Sequence, residues 1–188
     1  HNFVIGSSAM DGRVSAGPLF GRPFGGTAIL IKNDLVNAVT NVASSERYTV
    51  VKVANWLLVC VYLPCVGTDQ RFLVYIDTLQ EIQAIISDNN ECNYLIGGDF
   101  NSDLNLVNQL NCSVNSFMAD TGLHRCDVLM PVATNYTYIN ESMECMSQID
   151  YMLTSNPDLT VAFNILDIDI NLSDHLPILA VCCCNRVD

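Results

Sequence analysis

At 188 residues, half of them hydrophobic and 15% charged, the chain is long enough to bury a substantial core in one domain. Its formal net charge of −12, with only eight Lys and Arg, excludes a partner held by dense phosphate neutralisation from the protein's own basic side chains. An anionic polymer would need metal cations or flanking domains to supply much of the attraction.

In chain order, His1 to Gly26 is rich in Gly, Ser and Pro and reads as an opening strand followed by a long loop, a length of loop that tends to be functional or mobile. It starts inside domain-like sequence, without a basic n-region or a small-residue cleavage site, so a fragment with its amino-terminal part missing is expected. Apolar and β-branched runs bounded by Gly, Pro and Asn predict strands at Thr27 to Lys32, Tyr48 to Val53, Trp56 to Tyr62 and Tyr94 to Asp99. Further strands are predicted at Asn135 to Ile139, Ile149 to Thr154, Val161 to Ile165 and Ile178 to Cys184. Between the third and fourth of these, Phe72, Tyr75, Ile76, Leu79, Ile82 and Ile86 recur at helical spacing and predict an amphipathic helix over Gln70 to Asp88. A shorter helix is predicted at Val114 to Thr121, stopped by Gly122. Two early hairpin-like pairs, a helix, a buried strand and more short strands point to a mixed α/β layered domain rather than a βαβ repeat.

No window approaches the roughly 18–20 uninterrupted apolar residues of a membrane helix, so no span is expected. The nine cysteines show no CxxC pairs facing His at zinc spacing, and several, such as Cys60 in "LLVCVY", sit in strand-like runs as small hydrophobes. A reducing compartment, and hence an intracellular, nuclear or cytoplasmic location, is the expectation. The sequons at Asn111, Asn135, Asn140 and Asn171 would matter only in a secreted protein.

Three stretches carry chemistry. In "IGGDFNSDLN", residues 96–105, a buried strand ends in Asp99 and Asn101 instead of a plain turn. Such a strand delivers its carboxyl end to the sheet rim, where ligand sites of layered α/β proteins are built; an Asx turn closing the strand is the structural alternative. In "LSDHLPIL", residues 172–179, Asp174 and His175 stand before an apolar strand, and the histidine alone is equally consistent with a loop cap. In "SQIDYML", residues 147–153, Asp150 interrupts an apolar strand and needs a partner, since an isolated buried carboxylate is costly.

The three explain one another if Asp150 accepts a hydrogen bond from His175 and fixes its ring, leaving the other nitrogen for a reacting oxygen. Asp99, Asn101 and Asp174 add hard oxygen donors of the kind that suit Mg²⁺ or Mn²⁺. No GxSxG-type nucleophile motif is present, which points to activated water and to metal-assisted hydrolysis of a phosphate ester.

These residues resemble the endonuclease/exonuclease/phosphatase superfamily, and most of all the apurinic-like endonuclease domain of LINE-type non-LTR retrotransposons. The resemblance rests on "GGTAILIK" (25–32), "VCVYLP" (59–64), "IGGDFN" (96–101), "TYIN" with "SQIDYML" (137–153) and "LSDHLPI" (172–178), which span nearly the whole chain. It implies a single deoxyribonuclease I-like α/β (α+β) domain over residues 1–188, a two-layer β-sandwich flanked by helices with the site at one rim. It further implies His175 as the catalytic histidine oriented by Asp150, Asp99 and Asn101 at the attacking water and scissile phosphate, and Asp174 with Asp99 at the metal. Tyr62 matches the family's phosphate-contacting tyrosine, and Thr137 and Ser147 match hydrogen-bonding side chains that bind substrate. The implied partners are DNA and a downstream reverse transcriptase, with no membrane and no stable protein partner. Family members also begin with a strand bearing Asn and another ending in a metal-ligating Glu. Neither motif occurs here, Glu46, Glu81 and Glu91 lying in other contexts, so the fragment alone is expected to be weak or inactive. Two other readings stay open: a phosphatase or phosphodiesterase acting on phosphoinositides or small phosphate esters, and a non-catalytic truncated relic.

Overall fold

The apolar runs and the amphipathic repeat become strands and helices in a computed structural model that describes residues 2–8, 25–65, 67–168 and 170–183. The strands are β1 (Asn2–Ser7), β2 (Thr27–Lys32), β3 (Val39–Ser44), β4 (Tyr48–Val53), β5 (Trp56–Tyr62), β6 (Asn93–Asp99), β7 (His124–Arg125), β8 (Tyr138–Asn140), β9 (Cys145–Ser147), β10 (Asp150–Thr154), β11 (Thr160–Ile165) and β12 (Ile178–Cys182). The α-helices are α1 (Asp69–Asp88), α2 (Gln109–Thr121) and the single turn α3 (Cys126–Leu129). The long loop expected before residue 25 lies outside the described residues from 9 to 24, as does Cys184 at the end of the last predicted strand.

Among the described residues, six strands form the central sheet in the order β3-β4-β5-β6-β10-β7, in which only β5 and β6 run parallel. Their connection is α1, as a parallel pair requires a crossover. The helix begins where Thr68 Oγ1 accepts the Arg71 amide, with Asp69 in the first turn favoured by the helix dipole. It buries Tyr75, Leu79, Ile82 and Ile86 against the sheet, and Val114 and Phe117 of α2 join the same core with Val59, Val61, Ile96 and Leu153. The helix α2 starts five residues before the predicted Val114. Asn108 caps it by accepting the Asn111 amide at 2.8 Å, and its polar first turn hides the apolar period; Gly122 ends it in the left-handed region as expected. The strand predicted from Asn135 shortens to Tyr138–Asn140.

On the opposite sheet face, Leu58, Cys60, Leu95, Gly97 and Met152 form the floor of an apolar groove. Two separate ribbons make this second layer: β1–β2, which lies against β4 and β5, and β11–β12, which lies against β10. A third ribbon, β8–β9, stands at the rim. No helix among the described residues is long and apolar enough to cross a membrane.

At Gly98 the parallel pair leaves no room for a side chain. It sits at φ 141°, and a Cβ added there would overlap the Val61 carbonyl oxygen, which belongs to a backbone that cannot swing aside. Gly98→Ala is therefore expected to cost at least about 3 kcal/mol. Urea denaturation checks this as a lowered midpoint at unchanged slope.

Candidate active site

The site grows out of strand register. Tyr62 on β5 pairs with Asp99 on β6, and Asp99 pairs with Asp150 on β10, so three side chains separated widely in sequence stand in one row at one sheet edge. The parallel pair brings two carboxyl ends to that rim, and the antiparallel β10 brings its amino end. Backbone bonds hold the row: Leu63 N donates to Asp99 O at 2.9 Å and Phe100 N to Ile149 O at 2.8 Å. Below it the buried Tyr75 hydroxyl of α1 donates to Phe100 O at 2.9 Å.

Asn101 turns the chain back onto the row. At φ 47° it occupies the left-handed region, which asparagine tolerates better than most residues. Its amide donates to Asp99 Oδ1 at 2.7 Å, and its Nδ2 donates to Asp99 Oδ2 at 2.9 Å and to Leu63 O at 2.8 Å. The Asx turn that closes the strand is therefore also what fixes the Asp99 carboxylate at the rim.

His175 arrives from the loop before β12. Its amide donates to Ser173 Oγ at 3.0 Å, its carbonyl accepts Asn171 Nδ2 at 2.8 Å, and its backbone forms a bridge with Tyr138. The half-buried imidazole places Nδ1 2.8 Å from Asp150 Oδ2, with the Tyr138 ring tilted against it at 5.0 Å. The hydrogen bond to Asp150 is the main reason its pKa lies above the usual histidine value. Burial, and then the charge of Asp150, push the Asp99 carboxyl up to about 6, against the smaller stabilising effects of Asn101 and His175.

Of the residues singled out in sequence, Tyr62, Asp99, Asn101, Ser147, Asp174 and His175 line one open cavity of about 880 Å³. Asp150 stands behind His175. Thr137 is a correction: its side chain is fully buried and its hydroxyl accepts the Ile149 and Asp150 amides, so it lies beneath the cavity and not on its wall. Sequence reasoning passed over Tyr138, Ile149 and the Gly25–Gly26 pair, which also line the cavity. Tyr138 had a signal, an aromatic side chain in "TYIN" beside the one threonine that was noticed. Arg47, also passed over, sets its guanidinium 5.6 Å from the Tyr62 ring centroid and brings a cation to the site's edge.

The donor chemistry of Asp99 and Asp174 suits Mg²⁺ or Mn²⁺. Yet both Asp99 oxygens already accept from Asn101, and among the described residues no three His, Cys, Asp or Glu side chains come together to hold an ion. These side chains fall short of a complete metal centre.

Comparison with known proteins bears on the fold and the family. The family described as Endonuclease-reverse transcriptase matches residues 56–179. No curated protein sequence matches the chain. Among solved structures, the endonuclease domain of TRAS1, a telomere-specific non-LTR retrotransposon, superposes with a TM-score of 0.73 at 16% identity, covering 98% of this chain and 81% of that one. An AP endonuclease from Archaeoglobus fulgidus gives 0.67 at 14% identity, over 96% of this chain and 79% of that one. The 3′ phosphatase NExo from Neisseria, bound to product DNA hairpin, gives 0.67 at 13% identity over the same shares. At such identities the likeness is one of fold.

Proposed function

Because the chain belongs to the Endonuclease-reverse transcriptase family, we propose that its cavity hydrolyses phosphodiester bonds and that its substrate is DNA, nicked by attack of water on phosphorus. The single observation that carries the reading is the Asp150–His175 hydrogen bond, set beside the row that holds Asp99. Asp150 accepts the Nδ1 proton and fixes the ring, leaving Nε2 to donate to a phosphoryl oxygen as charge develops there. Asp99, whose raised pKa makes it a better base than an ordinary carboxylate, accepts a proton from the attacking water as the new P–O bond forms and the P–O bond to one sugar oxygen breaks, that oxygen taking its proton from solvent. Asn101 keeps the Asp99 carboxylate aimed through two hydrogen bonds, and Tyr62 and Ser147 offer hydroxyls to the phosphate.

Mg²⁺ or Mn²⁺ belongs to the same proposal. Asp174, with Asp99, would hold the ion as part of a donor set that these side chains leave incomplete, and the ion would supply charge neutralisation on the phosphate. Given the incomplete donor set, the chain alone is proposed to nick weakly. A reverse transcriptase in the same parent protein, using the nick as its primer end, extends the proposal.

The test is nicking of supercoiled plasmid in Mg²⁺ or Mn²⁺, with and without EDTA, beside His175→Ala. Slow relaxation that vanishes with EDTA and with His175→Ala is expected. Turnover of phosphoinositides or small phosphate esters by a folded chain that leaves plasmid intact would overturn the DNA assignment.

A further inference from the structure

Asp150 and His175 touch, yet they belong to different parts of the molecule. Asp150 opens β10 in the central sheet, whereas His175 sits in the loop that leads to the β11–β12 ribbon. The backbone running through Thr137 and β8 ties the two together. Thr137 Oγ1 accepts the amides of Ile149 and Asp150, each at 3.0 Å. Its carbonyl accepts the Leu176 amide at 2.6 Å and its own amide donates to Ser147 O at 3.0 Å. One step on, Ile139 N donates to Asp174 O at 2.8 Å. A single fully buried residue thereby bonds the segment just before Asp150, Asp150 itself and the residue just after His175.

We infer that Thr137 is a positioning residue, whose hydroxyl sets the Asp150–His175 distance by holding the two segments in one bracket. The inference rests on the proposed role of that pair. A hydroxyl oxygen has two lone pairs, and two amides occupy them, so the start of β10 is aimed by the side chain of the residue that precedes β8. Neither a β-ladder nor a turn supplies those two acceptors. Valine matches threonine in shape and removes both, leaving the amides unpaired and the carboxylate free to shift relative to the ring. A displacement approaching 1 Å at a catalytic group lowers the rate by up to about 10²-fold.

The experiment compares the full chain with Thr137→Val and Thr137→Ser, at a temperature where circular dichroism shows each folded. Two quantities are read: initial nicking rates over a range of DNA concentration, and the low-field proton resonance of the His175 Nδ1–H in a spectrum of ¹⁵N-histidine-labelled protein. Thr137→Val is expected to lower kcat about 10- to 100-fold at nearly unchanged KM, and to broaden or lose the Nδ1–H resonance. Thr137→Ser, which keeps the hydroxyl, is expected to restore both. A raised KM at unchanged kcat would assign Thr137 to substrate binding and overturn the inference. So would a destabilised valine variant that keeps both the resonance and kcat.

The resonance separates this inference from the nuclease reading, because it reports the bracket even if no DNA is cut. Should the valine variant fail to fold, amide hydrogen exchange in the native chain decides. Protection of Ile149, Asp150 and Leu176 is expected to be lost in one opening event, and separate openings of the two segments would overturn the bracket.

Discussion

His175→Ala is expected to lower the nicking rate by about 10²- to 10⁴-fold, the usual contribution of a placed proton-transfer group. Asp150→Asn should approach the same loss although it leaves the imidazole in place, because the ring then has no carboxylate to fix its orientation. The pH profile separates the two. Nicking needs Asp99 ionised and, in the proposed chemistry, His175 protonated, so the rate should be bell-shaped, rising through about pH 6 and falling above the raised histidine pKa. Asp150 contributes to both shifts: its hydrogen bond is the largest cause of the histidine's rise, and its charge is the second cause of the Asp99 rise. Removing that charge in Asp150→Asn should move both limbs toward lower pH while the maximum drops. An Asp150→Asn profile that keeps the native limbs would show that other groups control the rate.

Asp99→Asn should abolish nicking and yet stabilise the protein at neutral pH. The folded-state pKa of about 6 lies above the ordinary 3.8, so the native state holds this proton more tightly than the unfolded chain does. The contribution of the group is therefore favourable below about pH 4, is lost as pH rises toward 6, and is absent above that. The gap between 3.8 and about 6 corresponds to a native-state charging cost of about 3 kcal/mol at pH 8. Asparagine removes the charge and keeps an acceptor for the Asn101 amide, but it loses the Oδ2 acceptor for Asn101 Nδ2. A net gain of about 1–2 kcal/mol is expected at pH 8, with none at pH 4. Thermal melts of both proteins at the two pH values measure it. A variant less stable than the parent at pH 8 would mean that the buried charge is better compensated than its surroundings indicate.

Much of this site was legible in the sequence, because the relevant signals are local. "GGDFN" after an apolar run, an acid inside "QIDYML" and "SDH" before an apolar strand each announce a polar group where burial would otherwise be the rule. β2, β4, β5 and α1 fall within a residue of their predicted limits for the same reason, their hydrophobic periods being strong. What was not legible depends on partners distant in the chain. β3 was missed because as an edge strand it is largely exposed and presents no alternating apolar face. Thr137 was given to the substrate, since sequence shows a hydroxyl near the site but not that two amides at the start of a central-sheet strand occupy it. The division of the second layer into separate ribbons likewise follows from which edges pair, a matter on which strand-like runs are silent.

The row of Tyr62, Asp99 and Asp150 also says when the chemistry can come into being. Its members meet only through pairings between strands that the α1 crossover and the long segment after β6 keep far apart along the chain. Contacts of that kind are assembled late, after the entropy of closing large loops has been overcome. A half-folded chain, however much helix it holds, has no row, so the proposed activity requires the sheet to be complete.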